Sequence, residues 1–374
     1  MRIDSIDVYH LALPLKKPLK LRKGATERLE TVLVRLRSGE TAGWGEASPG
    51  AAPVFGGEFA AGAFAAIRDW FAPRLAATAV DSGEHLQQRL EAFRGNSFAK
   101  GALDVAWWDL QARTRRQPLW KTLGGTREAV EVGPVFDEME SVEEFFDLIR
   151  QAQEAGFARV KLMFRPGWDV RMVDAVRKEF PVFPIHVDVE AELTLGHMDM
   201  LCRLDDFDLA MIEQPLPADD LVGHAMLQEA VRTPVCLDEG ITCVAHAEMA
   251  LELKSCRYIN LKPDRVGGLT PALAICDEAG RQSVPCWVGA MPQTGLGTRA
   301  GLSLAAKPNC TYPADWLPLD DHLDAHLVAP LVPARDENDG VLRVPLWSEP
   351  GLGVSPDEAR LEQFTVARAT LPGG

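Results

Sequence analysis

Apolar and polar residues change their spacing twice along the chain. Residues 1 to about 50 alternate, as in MRIDSIDVYHLALPL, with turn signals at Ser38-Gly39 and Ala42-Gly43, which predicts an antiparallel sheet. Residues 56 to 123 are rich in Ala, Leu and Trp at helical spacing, as in Ala102, Val105, Ala106, Asp109 and Leu110, and complete an α+β unit. From Val130 onward short apolar runs alternate with helical stretches: VEVGPVF, RVKLMF, FPIHVDVE, LAMIEQPL, PVCLDEG, RYINLKP and VPCWVGA. Seven such strands, with a weaker eighth near CTYPAD, predict an α/β fold built on a modified or incomplete β/α barrel. The tail from about Pro330 is rich in Pro and Gly and is expected to return to the first domain. The expected division is 1–125 for the α+β domain, 126–325 for the barrel and 326–374 for the returning segment.

Four charged residues close successive apolar runs. Glu213 in IEQP follows Asp188 in HVDVE by 25 residues, Asp238 in CLDEG follows Glu213 by 25, and Lys262 in NLKP follows Asp238 by 24. That interval is one strand plus one helix, so the four side chains are expected to converge at the C-terminal ends of barrel strands. Carboxylate ligands suit a hard cation, Mg²⁺ or Mn²⁺ in its place. The plainer reading of any one acid is a strand-end residue paired with a lysine or a helix N-terminus. The series favours the cation, because carboxylates that meet need a compensating charge.

Composition narrows the partners. A chain of 374 residues, 47% apolar, can bury a large core, and its net charge of −15 argues against nonspecific binding to nucleic acid or an anionic membrane. No apolar stretch approaches the length of a membrane span, and the first residues read as a strand rather than a signal peptide, so a cytoplasmic location is expected. The seven cysteines form no CxxC pair and read as reduced core thiols. None of the eight histidines forms an HExxH motif; His186 and His224, nearest the candidate site, read as surface or outer-shell residues.

Several segments resemble the enolase superfamily, muconate-lactonizing subgroup, and within it the o-succinylbenzoate synthase and N-acylamino acid racemase family. They are GWGEASP (43–49), ALDVAWWDL (102–110), RPGWDV (165–170), IEQPL (212–216), TPVCLDE (233–239), INLKPDRVGGL (259–269) and TGLG (294–297). The resemblance implies a (β/α)7β TIM-type barrel under an α+β capping domain, with Asp188, Glu213 and Asp238 as Mg²⁺ ligands and Lys262 as an acid/base residue on one face of the substrate. It also implies a small anionic carboxylate substrate, an enediolate formed by loss of its α-proton, and a homo-oligomer.

The chain departs from that family where it carries Lys-x-Lys on the second barrel strand. Here the segment is Lys161-Leu162-Met163, and methionine carries no proton. Lys161 remains as a candidate catalytic residue, with Met163 beside the substrate. Glu190 stands where Asn is usual and, two residues after Asp188, is expected on the same strand face. Gln293 replaces a common Glu. In this family a loop near 16–25 acts as a specificity lid; here it carries Lys16, Lys17, Lys20, Arg22 and Lys23, and Lys20 and Arg22 are the candidate contacts to a second anionic group on the substrate. The expected activity is an α-proton abstraction like that of o-succinylbenzoate synthase, with an altered acid/base set. The alternatives are a cycloisomerase, an N-acylamino acid racemase-like enzyme or a non-catalytic metal- and ligand-binding relative. An acid-sugar dehydratase is disfavoured because VPCWVGAMPQ has no histidine.

Overall fold

The computed structural model describes the chain apart from residues 22–23, 55, 137–140, 165–168, 318–322, 324–325 and 373–374, and apart from the side chains of residues 20, 21, 24 and 169. Arg22, the Lys20 side chain and most of RPGWDV lie outside what is described.

Three strands open the fold. β1 (Ser5–Leu21) and β2 (Gly24–Ser38) pair antiparallel from Ser5 with Arg37 out to Leu21 with Gly24, with a register shift between Pro14 and Leu19. The described residues of 16–25 therefore lie along the far end of a long hairpin, and Leu15 bridges to Leu323. A turn at Gly39, whose φ of +54° suits glycine, leads to β3 (Thr41–Ala47). Ala42-Gly43 makes no turn, because both residues lie inside β3. The glycine serves close approach instead: the helix Ser97–Thr114 lies against this strand, and a Cβ on Gly43 would fall 2.3 Å from the Ala106 carbonyl oxygen.

On β1 and β2, Ile6, Val8, Val32, Val34 and Leu36 pack with the helices of the capping domain. Tyr9, Leu11, Leu13, Leu29 and Leu33, pointing the other way, share a core with barrel residues. Both sheet faces are covered, so apolar residues occupy both sets of alternating positions.

The barrel follows. β4 (Ala129–Phe136), β5 (Val160–Met163), β6 (Ile185–Asp188), β7 (Ile212–Glu213), β8 (Val235–Leu237), β9 (Tyr258–Leu261) and β10 (Cys286–Val288) pair in parallel in that order. β11 (Ala314–Trp316) pairs parallel with β4, and a parallel bridge between Cys286 and Cys310 joins β10 to the residues just before β11. Eight strands thus close on themselves, each connected to the next by helix. The connecting helices start where sequence provides caps: Ser141 Oγ accepts from Glu144 N at the head of Val142–Ala155, and Asp220 from Gly223 N at the head of Leu221–Ala230. β6, β7 and β8 are buried at every residue, the polar His186, Asp188 and Glu213 included.

The end of the chain returns. β12 (Ala334–Arg335) and β13 (Leu342–Pro345) pair with each other and β13 lies antiparallel to β4, while β14 (Thr365–Pro372) runs antiparallel along β1.

Glu46 joins the cap to the barrel. Its Oε1 accepts from Thr31 Oγ1 at 2.9 Å, Ser48 Oγ at 3.0 Å and Thr294 N at 2.8 Å, and its Oε2 accepts from Thr294 Oγ1 at 2.6 Å and Gly297 N at 2.9 Å. The last three donors belong to the start of the helix Gly295–Ala305 that follows β10. A carboxylate at a helix N-terminus also meets the positive end of the helix dipole. Glu46→Ala should strand these buried donors and lower stability by about 3 kcal/mol, seen as a lower urea midpoint; an unchanged midpoint would show that the latch carries no weight.

Candidate active site

Asp188 and Glu213 are the last residues of β6 and β7, and Asp238 follows the last residue of β8. Neighbouring parallel strands thereby bring three carboxylates to one end of the barrel, with oxygens within 4.8 Å of one another. All three side chains are buried. Packed so closely, they repel, and the chain supplies cations from both sides. Lys161, from β5, places Nζ 2.6 Å from Asp188 Oδ2 and 2.9 Å from Glu213 Oε2. Lys262, just after β9, donates to Asp238 Oδ2 at 2.7 Å. Arg265, from the helix Pro263–Val266, donates to Asp238 Oδ1 and also holds the Ile241 and Asn260 carbonyls.

The electrostatics follow. Burial, with the charge of Glu213 added, pushes Asp188 up to about 7 despite Lys161. Glu213 is also raised by burial, against the pull of Lys161. Burial would raise Asp238 too, but Arg265 and Lys262 outweigh it and hold that carboxyl below the ordinary range. Burial would lower both lysines, yet Asp188 and Glu213 hold Lys161 well above its ordinary value, and Asp238 raises Lys262. Both are ammonium groups here.

The donor set fits a divalent cation. It offers three carboxylates, and Glu213 Oε2 is a buried oxygen without a well-formed hydrogen bond, although Lys161 Nζ lies 2.9 Å away. Close distance without alignment leaves that oxygen with acceptor capacity for a metal ion.

The other expected residues are placed as follows. Met163 is half-buried and paired with Asp188 across the β5–β6 ladder, beside the acids. Because β5 and β9 are four strands apart in an eight-stranded barrel, Met163 and Lys262 approach the centre from opposite walls. Glu190 is not set by strand alternation: β6 ends at Asp188, and Glu190 has a left-handed φ of +50°, its N–H donating to Asp188 Oδ1 at 2.9 Å. Gln293 is half-buried against the first turn of Gly295–Ala305, where a Cβ on Gly297 would lie 2.6 Å from its Oε1.

Both histidines read as surface or outer-shell groups are fully buried. His224 Nε2 accepts from Leu216 N at 3.3 Å, fixing the loop after β7, and His186 lies below Glu213. Other participants carried only faint sequence signals. Asn260, two residues before Lys262, donates to Glu213 Oε1 at 2.8 Å and accepts from Gly289 N. Gln214 accepts from Asp238 N at 2.9 Å and Gly240 N at 3.0 Å, fixing the turn that carries Asp238. Asp315, on β11, pairs with Arg159 at 2.8 Å and lies 3.8 Å from Lys161. Glu239 is raised to about 8 by burial and by the charges of Asp238 and Asp188.

Residues 5–124 match the model of the mandelate racemase / muconate lactonizing enzyme N-terminal domain, and 144–360 that of the enolase C-terminal domain-like family. The chain belongs to the enolase superfamily. It is similar to an o-succinylbenzoate synthase of Geobacillus stearothermophilus, 36% identical over 98% of this chain and 96% of that protein. It is equally similar, at 36% over 99% and 98%, to an N-succinylamino acid racemase of Thermus thermophilus. A solved enolase-superfamily structure from Listeria innocua overlays it with a TM-score of 0.93 at 31% identity, covering all of both chains. The chain is thus an enzyme of the enolase superfamily, with the superfamily's capping domain and barrel. Among the described residues no helix is long and apolar enough to cross a membrane.

Asp264, two residues beyond Lys262, is buried at the seam between cap and barrel, where its Oδ2 accepts from Ser48 N at 3.2 Å. Burial, then the nearby Glu46 charge, pushes it up to about 8. The folded chain keeps this proton after the unfolded chain has lost it, so the group's contribution to stability falls as pH rises from about 4 to about 8. Asp264→Asn should remove that slope, raising stability by about 2 kcal/mol near pH 8 and by little near pH 4. Urea midpoints across that range test it; a gain independent of pH would contradict the assignment.

Proposed function

We propose that the enzyme removes the α-proton of a small anionic carboxylate substrate, with Mg²⁺ held by Asp188, Glu213 and Asp238 and with Lys262 as the base. The observation that carries this reading is the buried cluster of three carboxylates, with oxygens within 4.8 Å of one another, flanked by Lys262. Mg²⁺ held there would supply positive charge opposite the substrate carboxylate as negative charge develops on it. Lys262 Nζ is bound to Asp238 as an ammonium group and becomes a base only when that ion pair opens and the ammonium gives up a proton to solvent. It would then take the proton from the substrate face on its own side of the barrel.

The opposite wall offers Met163, whose thioether carries no proton. Lys161, the second lysine of the site, is occupied by Asp188 and Glu213. The reaction is accordingly one-sided, so a dehydration of the o-succinylbenzoate synthase type, with the substrate turned towards Lys262, is favoured over a two-sided racemisation. The names of the relatives supply the substrates to try first: the precursor of o-succinylbenzoate and N-succinylamino acids.

Incubation with these compounds and Mg²⁺ in D₂O should exchange the α-proton on one face. Lys262→Ala should slow exchange by about a thousandfold without weakening Mn²⁺ binding. Met163→Lys should add exchange on the second face, read as racemisation of an N-succinylamino acid. A fully active Lys262→Ala variant would overturn the role of Lys262, and absence of exchange with every compound while Mn²⁺ still binds would favour a non-catalytic ligand-binding protein.

A further inference from the structure

The barrel interior beneath the acids holds a pair of residues that this function does not yet use. His186 stands two residues before Asp188 on β6 and is fully buried. Its Nδ1 is 2.9 Å from the Tyr312 hydroxyl, and its Nε2 is 3.2 Å from Glu213 Oε2. Trp287 closes the group, its ring centroid 5.4 Å from that of His186 and 5.8 Å from that of Tyr312. His186 Nε2 and Glu213 Oε2 are both buried polar atoms without a well-formed hydrogen bond, and they face each other.

A neutral imidazole carries a single N–H, so the partner of one nitrogen decides what the other presents. With the Tyr312 hydroxyl donating to Nδ1, the N–H sits on Nε2, 3.2 Å from the carboxylate oxygen. The reverse tautomer would aim a lone pair at Glu213. The other groups on this carboxylate do not settle Oε2: Asn260 holds Oε1, and Lys161 is shared with Asp188. We infer that Tyr312 and His186 act as positioning residues for the metal site, Tyr312 fixing His186 as the Nε2–H tautomer and that N–H orienting Glu213. This inference rests on the reading of Glu213 as a metal ligand.

Two readouts independent of turnover test it. Long-range ¹⁵N–¹H spectra of the histidine side chains should show His186 protonated at Nε2 in the metal-free protein and shifted towards the other tautomer in Tyr312→Phe. Mn²⁺ affinity, from the free-ion signal in electron paramagnetic resonance, should fall about tenfold in His186→Leu and severalfold in Tyr312→Phe. His186→Gln, whose amide can still donate, should recover most of the loss. An Nδ1–H tautomer in the parent protein, or Mn²⁺ affinity unchanged in both His186→Leu and Tyr312→Phe, overturns the inference. Weakened Mn²⁺ binding in a protein that turns over no substrate supports the pair while sinking the proposed function. A parent protein that binds no Mn²⁺ sinks both.

Discussion

Three carboxylates, buried within 4.8 Å of one another, cannot share a site without positive charge against them. Removing a single ion from water costs several kcal/mol, and like charges in a poorly solvated cavity add to that. The chain answers with Lys161 against Asp188 and Glu213, Lys262 and Arg265 against Asp238, and Arg159 against the neighbouring Asp315. The side chains that compensate the cluster thus include the group proposed to perform the chemistry. A cation bound by the acids would take over part of this compensation, which ties metal affinity to the freedom of Lys262.

The rest of the molecule keeps these charges in register. Short, fully buried strands fix where each acid emerges, and the turns after them are pinned by Gln214, Asn260 and His224 rather than by packing alone. The capping domain is joined to the barrel through Glu46 and through Asp104, which accepts from Thr270 N, and to the returning segment through Asp109, which accepts from Leu352 N. The segments that carry the family resemblance in the cap therefore do structural work: GWGEASP supplies the close strand–helix approach and the Glu46 latch, and ALDVAWWDL supplies the two acids.

The barrel and its three acids were legible because a strand–helix repeat converts a fixed interval into a shared position. Lys262 was legible for the same reason. Asp315 was not, since its contact with Lys161 arises only when β11 closes the barrel beside β4, far from Lys161 along the chain. Glu190 was read as continuing a strand that in fact stops at Asp188, because a left-handed residue carries no marker when it is not glycine. Ala42-Gly43 resembled a turn because glycine serves turns and close packing alike. The burial of His186, read as a surface or outer-shell residue, was not legible because its partners, Tyr312 and Glu213, come from other parts of the barrel.

The most direct measurement is a crystal structure of the protein soaked with Mn²⁺, with anomalous scattering recorded to locate the ion. A peak bound by Asp188, Glu213 and Asp238 together is expected, with the Lys262–Asp238 ion pair opened. A peak elsewhere, or none with the lysine–carboxylate pairs intact, would contradict the proposed metal site.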